Sequence, residues 1–140
     1  MRRAYKICSA NPPGQPIRPC LVMLEVPDSA HCIATDHAPN GDMVAFRCNW
    51  AKVIGIAELA INDGVVSVVD DAIGIAYNCY FNPNEKVIRY AVGKRLWVRN
   101  FDEREYVIGG NGIHCFATQI DAVNYYRGAL LPSIQRERGD

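Results

Sequence analysis

The chain has 140 residues, 15 Lys plus Arg against 15 Asp plus Glu, and 49% hydrophobic residues. That length suits one domain with its own core, which needs no metal or disulfide to fold. A formal charge of zero argues against a protein that coats nucleic acid or an anionic membrane, and the apolar content argues against disorder.

The opening Met1-Arg2-Arg3-Ala4-Tyr5-Lys6 is basic with no apolar run behind it, so no signal peptide is expected. No run reaches the roughly 18 apolar residues of a membrane span. The six cysteines, Cys8, Cys20, Cys32, Cys48, Cys79 and Cys115, form no Cys-x-x-Cys pair. Without a secretory signal they imply free thiols in a reducing, cytoplasmic compartment.

In chain order, residues 3–8 read as a first strand and residues 11–19, rich in proline, as a loop. Residues 20–26 form a strong strand, with Leu21, Met23 and Glu25 on one face and Val22, Leu24 and Val26 on the other. Residues 31–42 are polar and turn-rich and read as a long surface loop. Residues 43–56 alternate with strand period, with a kink or restart near Lys52; residues 58–61 fit a strand or a helical turn. Asn62-Asp63-Gly64 marks a hairpin turn before the β-branched strand 65–69. Residues 70–74 read as a turn, 75–81 as a strand, and Asn82-Pro83-Asn84 as its end. Residues 87–92 and 95–99 flank Gly93-Lys94 and read as a type II′ hairpin. Residues 100–106 are a charged connection and 109–112 a glycine-rich turn with positive φ angles; a short strand follows at 113–117. Thr118 then caps a helix with Asp121 three residues on, and Ile120, Val123, Tyr126 and Leu130 form its apolar stripe until Pro132. The expected fold is α+β: one β-rich domain over residues 1–132, mostly antiparallel sheet with a helix near the C-terminus, and a polar tail over 133–140. The lack of βαβ alternation excludes a doubly wound parallel sheet.

His114 draws attention because it lies in a strand directly after the glycine-rich turn. An imidazole there can serve as base, hydrogen-bond donor or metal ligand. It can equally be a half-buried histidine satisfied by backbone. The metal-ligand types His31, Cys32, Asp36, His37, His114 and Cys115 lack a zinc spacing, so no metal and no cofactor is expected. His114 and Cys115 are adjacent and point to opposite sides of a strand, which is the wrong geometry for a Cys–His nucleophile. Gly109-Gly110-Asn111-Gly112 lacks the Gly-Lys-Ser/Thr ending of a phosphate loop and precedes a strand rather than a helix. Lys86, Arg89, Lys94, Arg95 and Arg99 form a basic stretch interleaved with Tyr90 and Trp97. It reads as a solvated hairpin edge, or as a surface that meets a phosphate and stacks on a base.

Gly112-Ile113-His114-Cys115-Phe116 followed by Ala122-Val123-Asn124-Tyr125 resembles the signature Gly-Ile-His-Phe-Phe … Ala-x-x-Tyr. That signature belongs to an uncharacterised domain family of phage and bacterial genomes, often found beside pentapeptide repeats. Tyr5-Lys6, Leu24-Glu25-Val26-Pro27, Arg47 with Ala51-Lys52-Val53, Tyr90-Ala91-Val92-Gly93 and Asn100-Phe101-Asp102 resemble its other motifs in the same order. The resemblance runs from Tyr5 to Tyr126. Departures are Phe46 and Gly109, where the family pattern carries cysteines, and Cys115, where it carries an aromatic residue. The resemblance implies a phage or mobile-element origin and no particular activity.

The first functional expectation is therefore a small binding module that engages a host protein or a small ligand, for example to block a defence pathway. The alternative is a nucleotide binder or an enzyme similar to ADP-ribosyltransferases, whose Gly-Ile-Tyr-Phe segment loosely resembles residues 112–116. No first-strand histidine or late glutamate completes that pattern. A structural or adaptor role is the third reading, and a homo-oligomer is compatible with all three. The candidate ligand-binding residues are His114, Arg47, Tyr90, Trp97 and Lys52, with no catalytic residue assigned.

Overall fold

The chain is described here from a computed structural model covering residues 1–62, 65–69, 73–78, 87–105 and 110–130. Alternation of apolar residues builds β1 (Arg2–Ser9) and β2 (Pro19–Val26), which pair antiparallel along their length, Arg2 opposite Val26 and Ser9 opposite Pro19. Then come β3 (Cys32–His37), β4 (Met43–Cys48), β5 (Trp50–Asn62), β6 (Val65–Val69), β7 (Ile75–Asn78), β8 (Arg89–Ala91), β9 (Arg95–Trp97) and β10 (Ile113–Phe116). Helix α1 (Gln119–Tyr125) continues into a π-helical turn, Tyr126–Leu130. The main sheet order is β3-β4-β10-β1-β2-β5-β6, with β7 on the end of β1 and carrying β8, and β9 on the start of β5. Among the described residues every pairing is antiparallel. The result is a largely β chain: a sheet curled into a half-barrel with one short helix near the C-terminal end.

Two clusters of buried side chains explain the curl. Ala4, Cys8, Val22, Leu24, Val26, Phe46, Cys48, Val53, Tyr90, Ile113 and Cys115 fill the concave face. Ile7, Leu21 and Leu59 form a second cluster on the convex face with Ala122 and Tyr126. A bulge in β5, where the partner of Met23 is Gly55 but that of Leu24 is Val53, bends the longest strand.

Several expectations need correction. Residues 32–37 are not loop but an edge strand, β3, paired with β4. Its alternation is hidden because it is nowhere fully buried and because register shifts around Asp36 break the period. The stretch 43–56 is two strands that break at Asn49, whose side chain accepts from the His31 N–H. Residues 58–61 belong to β5 as strand.

Residues 87–99 are not a hairpin: β8 pairs with β7 and β9 with β5. The Lys94 N–H bonds the Ala91 carbonyl and Gly93 has φ 84, so Gly93 is third in a type II turn rather than first in II′. That turn docks on β5 through Gly93 N to Val53 O and Val53 N to Lys94 O.

Gly110 and Gly112 do not have the expected positive φ. They are required for space: a Cβ on Gly110 would lie 2.6 Å from Asp102 Oδ2, and one on Gly112 2.9 Å from the Phe101 ring and 3.1 Å from Arg47 Cβ.

Thr118 caps α1 as expected, its Oγ1 accepting from Asp121 N at 3.2 Å. The buried stripe is Ala122 and Tyr126, however, while Ile120 is 71% exposed. Ala122 is the small residue that lets the helix approach the sheet. The expected turns at 63–64 and 70–72, the strand end at 79–84, the turn residue Gly109 and the tail at 133–140 lie outside the described residues.

Candidate binding site

Arg47 and His114 sit directly opposite each other on β4 and β10. Arg47 is wholly buried. Its guanidinium cannot lose its charge, so burial requires acceptors. Nε donates to the Asp102 carbonyl at 2.9 Å and Nη2 to the Arg104 carbonyl. His114 is half-buried; its Nε2 bonds the Gly110 carbonyl, and its own carbonyl accepts from Lys6 Nζ at 2.8 Å.

The segment they grip closes on itself. Asp102 N bonds Asn111 O, and Asn111 Nδ2 bonds the Arg99 and Asn100 carbonyls. Arg104 pairs with Asp102 at 2.8 Å, and its guanidinium and backbone N–H hold the Asp102 carboxyl well below the usual carboxylate range. Phe101 meets the His31 ring at 5.4 Å, and His31 Nδ1 lies 3.3 Å from Glu103 Oε1. Arg47 and His114 are thus brought together, as a clasp on a loop. Tyr90 is buried in the concave core.

Lys52 and Trp97 are brought together elsewhere, on the ribbon of β5 and β9. Trp50 stands opposite Trp97 and Lys52 opposite Arg95. The Val98 N–H bonds the Asn49 carbonyl, so the next pair, Trp50 and Trp97, is a non-hydrogen-bonded pair, the kind whose side chains approach closest. The indoles stack with centroids 4.4 Å apart and planes at 14°. Trp97 remains 61% exposed, so one face of the stack is open to solvent. Alternate residues Ala51 and Leu96 point to the opposite face and pack on the core.

Lys52 and Arg95 are like charges set directly opposite, which costs stability in a sheet. Both are exposed, and among the described residues neither forms an ion pair. The row continues through Glu25 on β2 to Arg3 on β1. Three cations therefore share one carboxylate beside an open aromatic stack.

Trp50 was missed at the level of sequence, and Arg95 entered only as one member of the basic stretch. The signal was present as two mirrored patterns, Trp50-x-Lys52 and Arg95-x-Trp97, each placing an aromatic and a cation on one face of a strand. Only the antiparallel pairing of β5 with β9 shows that the two patterns coincide.

Among the described residues no three His, Cys, Asp or Glu side chains are placed to hold a metal ion. Among the same residues no helix is long and apolar enough to cross a membrane. Comparison with family models, with curated proteins and with solved structures gives no match in any of the three.

Proposed function

We propose that this chain is a small binding module whose recognition face is Trp50, Lys52, Arg95 and Trp97, and that its ligand is a nucleotide. The observation that carries the reading is the open tryptophan stack beside two directly opposed cations, neither of which forms an ion pair among the described residues. A flat ring stacks on the exposed Trp97 face, and such stacking contributes about 1–3 kcal/mol per base. The cation row lies two residues along the strand, about 7 Å away, which matches the reach from a nucleobase to its first phosphate. An anion there also relieves the repulsion between Lys52 and Arg95.

Binding of this kind needs no nucleophile or general base. A stoichiometric binder also fits the phage or mobile-element setting that the resemblance implies, in which it would block a host defence. His114 has no part in this face: β1 and β2 lie between its strand and β5.

Calorimetric titration with ATP, adenosine and inorganic triphosphate tests the reading. ATP should bind more tightly than either fragment, and Trp97→Ala should weaken it by about tenfold or more. Equal binding of triphosphate and ATP, or indifference to Trp97→Ala, would refute it.

A protein partner is a second reading, favoured by one observation. Val68 on β6 and Ile120 on α1 are exposed and line a groove of about 490 Å³ with Val66 and Val123. Val68→Lys should abolish capture of such a partner and leave nucleotide binding unchanged.

A further inference from the structure

Three cysteines with free thiols, Cys32, Cys48 and Cys115, converge on the concave face at one end of the sheet. Cys32 on β3 stands directly opposite Cys48 on β4. The Asn49 N–H bonds the His31 carbonyl, so Cys32 and Cys48 form the adjacent non-hydrogen-bonded pair. Such pairs have Cα atoms about 4.5 Å apart, inside the range of about 4.4–6.8 Å that a disulfide spans. Cys115 on β10 is the diagonal neighbour of Cys48, since Cys48 pairs with Ile113 and Cys115 with Phe46.

The three thiols are not equivalent. Cys48 and Cys115 are buried, whereas Cys32 is half-buried and meets solvent. The thiol of Cys115 hydrogen-bonds Cys48, whose pKa falls chiefly for that reason, helped by the Trp50 N–H and the charges of Lys6 and Arg2 against the opposing effect of burial. Burial pushes the Cys115 thiol up, and also that of Cys32, where the neighbouring Cys48 adds to the effect. Cys32 thus offers the accessible sulfur, and Cys48 directly behind it is the one whose thiolate the surroundings favour. None of these residues belongs to the tryptophan face.

We propose that Cys32 and Cys48 form a thiol–disulfide modification site for small-molecule disulfides of the glutathione class, with Cys115 positioning Cys48. In the first step the Cys32 thiolate attacks one sulfur of the disulfide. A Cys32–glutathione bond forms, the reagent's S–S bond breaks and one glutathione thiolate leaves. In the second step the Cys48 thiolate attacks the Cys32 sulfur. The Cys32–Cys48 bond forms and the second glutathione thiolate leaves. Two protein thiols are oxidised, one reagent disulfide is reduced to two thiols, and the two protons given up by Cys32 and Cys48 are taken up by the two leaving glutathione thiolates. The product ties edge strand β3 to β4, beside the contact between His31 and Phe101.

The test is to incubate the intact folded protein with glutathione disulfide, block remaining thiols and map linkages by mass spectrometry without reduction. The expected product is a Cys32–Cys48 crosslink with two glutathione thiols released, reversed by excess reduced thiol. Cys48→Ala should leave glutathione trapped on Cys32. Should that variant fail to fold, Cys32→Ser gives the second check, because it should abolish the crosslink and all glutathione uptake at Cys48. Stable glutathione on wild-type Cys32, a Cys32–Cys115 crosslink, or no reaction at Cys32 would each overturn the proposal.

Discussion

Two basic residues of the candidate set show how burial separates structural work from recognition. Arg47 is wholly enclosed and spends its donors on the carbonyls of Asp102 and Arg104. Arg47→Ala should destabilise the fold by about 3 kcal/mol, because it empties a fully buried site and removes the donors to the Asp102 and Arg104 carbonyls. Lys52→Ala, at an exposed position, should change stability by less than about 0.5 kcal/mol. Urea denaturation of both variants checks the contrast. The Asp102 carboxyl gives a pH signature. Its pKa is depressed in the folded state by Arg104. Its contribution is therefore fully present above the ordinary carboxylate value of about 4 and is lost as pH falls through the lower folded value. The difference in Tm between wild type and Asp102→Asn should be constant from neutral pH down to about pH 5 and shrink below about pH 4. Residue type and position singled out His114 and Trp97, and the family resemblance added Arg47 and Lys52. Whether each faces a loop or solvent was not legible, because that depends on residues more than 50 positions away, as Arg47 to Asp102 illustrates.

Elements were legible where one face is buried and the period is unbroken. β2 and the Thr118 cap follow directly from local pattern, and β6, mostly exposed, from its run of β-branched residues. Thr118→Ala should cost about 1 kcal/mol, read by thermal unfolding. β3 escaped because an edge strand carries little burial and its register shifts at Asp36. The helix stripe was rotated by trusting residue size: Ala122, the smallest apolar residue of α1, is the one fully enclosed. Gly112 gives the sharpest test at this scale. Gly112→Ala would press a methyl between the Phe101 ring and Arg47 Cβ. It should cost about 1–3 kcal/mol and loosen the segment clasped by Arg47, seen as faster amide exchange near Asp102. Gly93→Ala should also destabilise, for a different reason, since its φ of 84 disfavours any Cβ.

At the scale of the whole molecule, sheet order is what turns scattered residues into surfaces. β9 follows β8 in sequence yet pairs with β5, some 45 residues earlier, as Trp50 opposite Trp97 shows. Antiparallel β-rich architecture was readable from the frequency of short alternating strands, but this crossover was not, since nothing local to residues 95–97 specifies the partner strand. The crossover builds a face with an open indole stack and two opposed cations, and it places both tryptophans of the chain there. Tryptophan emission, excited selectively over the seven tyrosines, therefore reports on the proposed site alone. The most direct measurement is a fluorescence titration of the intact protein with ATP, repeated on Lys52→Glu and Arg95→Glu after their Tm values are shown to be unchanged. Saturable quenching in the wild type, lost in both variants, is the predicted result. Emission that ATP leaves unchanged, or quenching that survives both charge reversals, would contradict the account.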